Sequence, residues 1–293
     1  MQASLIVDGK CELGECAIWC DRTQSVFWTD IQASVLWNYR PADGVTRSWV
    51  MPERLSVFAL TAQPNRLLIG LASRLAFFDL DTQTITPICR IEDDLPTTRL
   101  NDGRCDRQGR FVFGTLNEDK GRAPIGSYYR LNTDLSLERL PLPGVAIPNS
   151  VCFSPDGARM YYCDTMQGKI MCCDYDVVTG AISGQRLFVD LAGEKGSPDG
   201  SAIDSQGYLW NAQWGGARVV RYAPDGLVDR IIAVPVSQPS CPAFGGEALN
   251  ILYVTTAHEG MDAAQRDREP LSGGLFAVAL DGVAGIPEVR FGG

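Results

Sequence analysis

Hydrophobic and polar positions in this chain alternate over short stretches, and no segment sustains a helical period. Runs rich in β-branched and aromatic residues return every roughly 40 to 50 positions, a spacing that marks propellers and solenoids. The clearest are residues 25–30 (SVFWTD), 66–70 (RLLIG), 110–115 (RFVFGT), 160–165 (MYYCDT), 208–212 (YLWNA) and 251–256 (ILYVTT). A turn stands before each run, among them Asp106-Arg107-Gln108-Gly109, Ser154-Pro155-Asp156-Gly157 and Asp204-Ser205-Gln206-Gly207. Asp, Pro and Gly at such positions supply the side-chain caps and dihedrals of tight hairpins. Further strand-like stretches follow each run, as at 35–39, 127–131 and 274–278. Six copies of a four-strand unit predict an all-β, six-bladed β-propeller, a fold that limits exposed sheet edges by radial repetition. A β-sandwich would also show short strands at close spacing, but not this longer repeat. Only residues 260–267 suggest a short turn of helix.

Composition leaves this picture intact and narrows the function. The chain has 293 residues, 45% of them hydrophobic and 21% charged, enough apolar material for a large core. No linker or compositional break divides it, so residues 1–293 read as one domain. A net charge of -9 without a Lys/Arg cluster argues against nucleic acid or an anionic membrane as partner. No apolar run approaches the ~18 residues of a membrane span. Residues 1–15 lack the basic and apolar regions of a secretory leader. The ten cysteines are scattered through strand-like runs and read as reduced thiols, which predicts a cytoplasmic location.

The candidate chemistry lies just before the first strand of each unit. In a propeller these strands line the axis, so their starts converge. Glu15 stands there in the first unit, Arg99, Asn101 and Asp102 in the third, Asn149 in the fourth and Asp199 in the fifth. The second and last units, around Ser56 and Cys241, offer no carboxylate. Each residue taken alone reads first as a turn cap. Together they bring carboxylates to one axis, where like charges need a cation or protons between them. Oxygen ligands suit a hard or borderline divalent ion such as calcium, magnesium, manganese or zinc. The single histidine, His258, rules out histidine-rich zinc sites and reads as a surface or hydrogen-bonded residue. No Gly-x-Ser-x-Gly elbow, P-loop or Gly-x-Gly-x-x-Gly run is present.

At these residues the chain resembles the SMP-30/gluconolactonase/luciferin-regenerating-enzyme family. The matching stretches include Leu13-Gly14-Glu15 with Ile18-Trp19, Arg99-x-Asn101-Asp102-Gly103, Pro148-Asn149-Ser150 with Ser154-Pro155-Asp156-Gly157, and Pro198-Asp199-Gly200. The resemblance implies one divalent metal ion (Ca, Zn, Mn, Mg or Fe) held by Glu15, Asn149 and Asp199. It implies substrate contacts from Arg99 and Asn101, and from an acidic residue near Glu118 or Asp119. Leu116 replaces the methionine of the family's Gly-Thr-Met run, which leaves open which of the two acids faces substrate. Bacterial sugar lactonases look nearest, through Pro198 to Ser201 and Trp214-Gly215-Gly216. The expected activity is metal-dependent opening of a small sugar lactone, with Asp199 as general base and no obligate protein partner. A calcium-binding regulatory protein without turnover, and a hydrolase of other esters, are the rival expectations.

Overall fold

A computed structural model describes residues 1–293. It is all-β, with six four-stranded antiparallel sheets, the blades of a six-bladed β-propeller. The first strands of blades one to six are Gly14–Cys20, Leu55–Leu60, Thr98–Cys105, Pro148–Phe153, Ser197–Ile203 and Pro239–Gly245. Burial falls outward through each sheet. Leu55–Leu60 is buried throughout, whereas the fourth strands Val45–Val50 and Leu137–Arg139 are almost wholly exposed. That gradient is why the inner runs read as continuous apolar segments and the outer ones do not.

The predicted runs at 25–30 and 251–256 form strands with those bounds, and the other four shift by one or two residues. Thr165 is the informative difference. It leaves the strand Arg159–Asp164 and opens a 3-10 turn over Thr165–Gln167, with the Asp164 side chain accepting from Met166 N. The one α-helix, Ala263–Arg268, falls where a short helical turn was expected, behind a reciprocal cap between Asp262 and Gln265.

Compact packing divides the chain into two units. One comprises Met1–Arg54 and Leu191–Pro287 and carries blades one, five and six. Its last blade has three strands of its own, and Ser4–Val7 supplies the fourth by pairing with Leu275–Ala279. Its core fills the gaps between sheet faces. Trp19 stacks on Tyr253 with centroids 5.7 Å apart, and Trp210 meets Phe244 edge to face at 5.6 Å. Each such pair contributes about 0.5–1.5 kcal/mol beyond area burial.

The other unit comprises Leu55–Asp190 and Glu288–Gly293 and carries blades two, three and four. Val112, Tyr128, Phe153, Met160 and Tyr162 form a buried cluster between its third and fourth blades. The chain's final residues are strapped beneath it: Phe291 N donates to Leu60 O, Gly292 N to Gly109 O, and Arg104 pairs with Glu288 at 3.0 Å. Phe291 is fully buried against Phe77.

Candidate active site

One backbone device recurs in every blade. The register between first and second strand slips between Glu15 and Ile18, Leu55 and Val57, Leu100 and Gly103, Asn149 and Cys152, Pro198 and Ser201, and Pro239 and Pro242. Such a bulge places an extra residue on one strand and re-aims the side chains beside it. The residues at these bulges are Glu15, Ser56, Asn101 with Asp102, Asn149, Asp199 and Ser240. The polar groups singled out by sequence therefore owe their direction to a kink rather than to regular pleating. Cys16 and Ser150, immediately after Glu15 and Asn149, take φ of 52° and 60°, a left-handed conformation that costs non-glycine residues energy. After Asp199 the chain instead uses Gly200, where a Cβ would stand 2.8 Å from Ser240 O. This close approach explains the Pro-Asp-Gly run.

In the unit of blades two to four, Arg99, Asn101 and Asn149 are joined in a chain. Arg99 Nη1 donates to Asn101 Oδ1 at 2.9 Å and to Leu100 O at 2.8 Å. Asn101 Nδ2 donates to Pro148 O at 2.8 Å and to Asn149 Oδ1 at 3.2 Å. Asn149 Nδ2 donates to Thr165 Oγ1 at 2.9 Å. Arg99 also reaches Ser56 Oγ, and its Nε lies 3.3 Å from Glu118 Oε1. Arg99, Asn101 and Asn149 are buried, whereas Glu118 is exposed. Of the two acids left open by sequence, Glu118 is the one beside Arg99. Asp119 sits in the exposed turn that follows, its backbone N–H donating to Asn117 Oδ1.

Asp102 uses its carboxylate differently. Oδ2 accepts from Val151 N at 2.8 Å, stitching the bulge of the third blade to that of the fourth. It lies deep among protein atoms while keeping part of its surface open, and burial pushes its carboxyl pKa up against the opposing effects of that hydrogen bond and of Arg104.

In the unit of blades one, five and six, Glu15 is half-buried, and its Oε2 accepts from Cys16 N at 3.2 Å. Asp199 is buried, and Asn211 Nδ2 clamps its bulge by donating to Asp199 O at 2.9 Å and to Ser201 Oγ at 3.0 Å. Asn211 thus lies behind the site as a backbone clamp. Ser240 Oγ donates to Gly14 O, the carbonyl preceding Glu15. His258 is half-buried, with its backbone N–H on Glu12 O, and burial and Arg266 lower its pKa.

Two residues that sequence reading took as ordinary strand ends hold the bulges from behind. Asp164 accepts from Ala146 N, Ile147 N and Met166 N, fixing the segment that leads into Asn149. Asp30 does the same before Glu15, accepting from Glu12 N, Leu13 N and Ala33 N. The matching signal in the sequence is an aspartate at the end of the second strand in both blades.

Glu15 and Asp199 in one unit and Asn149 in the other carry carboxylate and amide oxygens, a donor type that suits a hard divalent cation. No three His, Cys, Asp or Glu side chains group as a metal cage, so such a cation would draw on amide, backbone or water oxygens besides the carboxylates.

The chain is similar along its whole length to known proteins. An L-arabinolactonase of Azospirillum brasilense is 50% identical over 100% of this chain and 96% of its own length. A 6-deoxy-6-sulfogluconolactonase of Pseudomonas putida is 35% identical over 96% of this chain and 95% of its own. Among solved structures, a calcium-binding protein, regucalcin, from Agrobacterium tumefaciens superposes with a TM-score of 0.93 at 31% identity, covering 99% of this chain and 97% of that one. Residues 13–258, which carry every bulge described above, match the SMP-30/gluconolactonase/LRE-like region, and the chain belongs to that family.

Proposed function

We propose that this protein, as one lactonase domain over residues 1–293, hydrolyses the ester bond of a sugar lactone to give the open aldonic acid, with L-arabinono-lactone the first substrate to test. The observation that carries the reading is the 50% identity to an L-arabinolactonase along the entire chain. The buried Arg99–Asn101–Asn149 chain supports it, since a guanidinium linked through one amide to a second is suited to a polyhydroxylated ligand. We assign Glu15, Asn149 and Asp199 as ligands of one divalent ion. When bound there, such an ion would supply Lewis acidity toward the lactone carbonyl and would lower the pKa of water.

The protein's own groups divide the remaining work. Arg99 donates to sugar hydroxyls or to the oxyanion that develops on the carbonyl, and its burial strengthens that interaction. Asn101 orients the sugar, and Glu118 accepts from a hydroxyl while holding Arg99 in place. Asp199 takes the proton of the attacking water at a carboxylate oxygen and returns it to the departing ring oxygen. The ten cysteines are thiols without disulfides, in keeping with work in a reducing cytoplasm. No helix is long and apolar enough to cross a membrane.

The test is acid release from arabinono-, xylono-, galactono- and gluconolactones by protein stripped of divalent ions and then given each ion in turn. Turnover of at least one pentonolactone that depends on the returned ion is expected. Absence of release from every lactone would instead favour the calcium-binding reading that the regucalcin relative's description suggests.

A further inference from the structure

The amide orientation of Asn149 follows from its neighbours without appeal to Asn149 itself. A guanidinium can only donate, so the Asn101 atom 2.9 Å from Arg99 Nη1 must be the amide oxygen. The other end of that amide is then the NH2 group, and it meets Pro148 O, which can only accept, at 2.8 Å. The two constraints agree. The Asn149 atom facing the same NH2 at 3.2 Å must be an acceptor, hence Oδ1. Its own NH2 is thereby turned onto Thr165 Oγ1 at 2.9 Å. The polarity of the chain runs in one direction, from Arg99 through both amides to a hydroxyl.

We infer that Thr165 is a positioning residue that anchors the NH2 end of the Asn149 side chain, so that the oxygen end, whose identity Asn101 sets, is held in place at the site. The hydroxyl is itself held. Thr165 N donates to Ile147 O at 3.0 Å, and Asp164 caps the turn that Thr165 opens. Without a hydroxyl there, the Asn149 NH2 loses its partner at that end and the side chain is released from the one geometry that a ligand oxygen requires, while the polarity of the amide, which a hydroxyl cannot choose, stays with Asn101. Asn101 fixes that polarity, because turning Asn149 would set two NH2 groups against each other. Arg99 therefore acts on Asn149 through Asn101, in addition to any contact of its own with substrate.

This inference rests on the assignment of Asn149 as an ion ligand. The test is titration of the metal-free protein with calcium and with zinc by calorimetry, alongside thermal unfolding of the same metal-free samples. Thr165→Val keeps the shape and removes the acceptor, whereas Thr165→Ser keeps the acceptor. Expected are a 10- to 100-fold loss of affinity in Thr165→Val, the scale on which groups that orient a ligand act, near-wild-type affinity in Thr165→Ser, and an unchanged unfolding midpoint in both. Equal affinity in wild type and Thr165→Val overturns the inference while leaving the ion assignment standing. Equal losses in the Val and Ser variants, or a loss that tracks a fallen midpoint, overturn it in favour of simple support of the turn. Failure of the wild type to bind either ion removes the ligand assignment and the inference with it.

Discussion

Asp199 and Asp204 are five residues apart on one strand and its turn, yet the fold treats them in opposite ways. Asp204 is fully buried and ringed by donors: Arg221 Nε and Nη2 at 2.8 and 2.7 Å, Trp210 Nε1 at 3.0 Å, and the backbone N–H groups of Gln206 and Tyr208. Asp106 repeats the pattern in the third blade with Arg110, Tyr175 and two backbone N–H groups. At the other end of the strand, Asp199 heads a bulge whose backbone is clamped by Asn211. The Asp-x-x-Gly runs thus serve the hairpin turns, and the bulge residues Glu15, Asn149 and Asp199 are the ones proposed above as ion ligands. At Asp204 and Asp106 protein donors saturate the carboxylate, whereas at Asp199 the clamp falls on the backbone carbonyl of the bulge.

The comparison breaks first at Asp204. Asp204→Ala leaves Arg221 and Trp210 facing a buried void, and removing one partner of a buried pair costs about 3–5 kcal/mol. Urea unfolding should register that loss, while turnover per folded molecule stays near wild type. The reverse pattern is expected of Asp199→Asn. That change should leave unfolding almost unaltered and lower lactone hydrolysis at least ~10²-fold, the scale of a lost general base. Near-normal turnover in Asp199→Asn would remove Asp199 from the chemistry.

Much of this was legible in the sequence because it repeats. Six turn-then-strand units identified the propeller, and polar residues at the start of four of them stood out against apolar runs. What the sequence hid was backbone geometry and distant pairing. Cys16 and Ser150 adopt left-handed φ without the glycine that would announce it, since flanking sheet pairs hold them there. Asp30 and Asp164 act on amides 17 and 18 residues earlier, a link that alternation along one strand cannot reveal. The outer strand of the last blade, Ser4–Val7, comes from the opposite end of the chain, a pairing that the reading of six four-strand units did not anticipate. The doublet Glu118-Asp119 could not be resolved from the residues alone, because adjacent positions at a strand end are offered to the same neighbourhood.

That doublet gives a smaller and sharper prediction. Glu118 is partly exposed and 3.3 Å from Arg99, so its ion pair is weak and screened. Glu118→Gln should raise KM for the lactone a few-fold with a lesser change in kcat, and Asp119→Asn should change neither beyond about twofold. Steady-state kinetics of the two variants distinguish them. Equal effects would mean that the turn after Asn117, rather than one carboxylate, matters to substrate.

The smallest effect is expected of the thiols at neutral pH. Every cysteine except the half-buried Cys89 is buried, and burial pushes Cys11, Cys152 and Cys173 up to about 12. A disulfide reagent at pH 8 should therefore modify at most one thiol per native chain, against all ten after unfolding. The linkage sign follows from the same shifts. Folded-state values stand above the unfolded value near 9, so the folded chain keeps protons that the unfolded chain releases. Stability is then undiminished below about pH 9 and declines as pH rises toward 12. Rapid labelling of several thiols at pH 8 with no loss of structure would show that the strands bearing them open locally, and that the interior holding Asp204 and Asp106 is less fixed than the comparison requires.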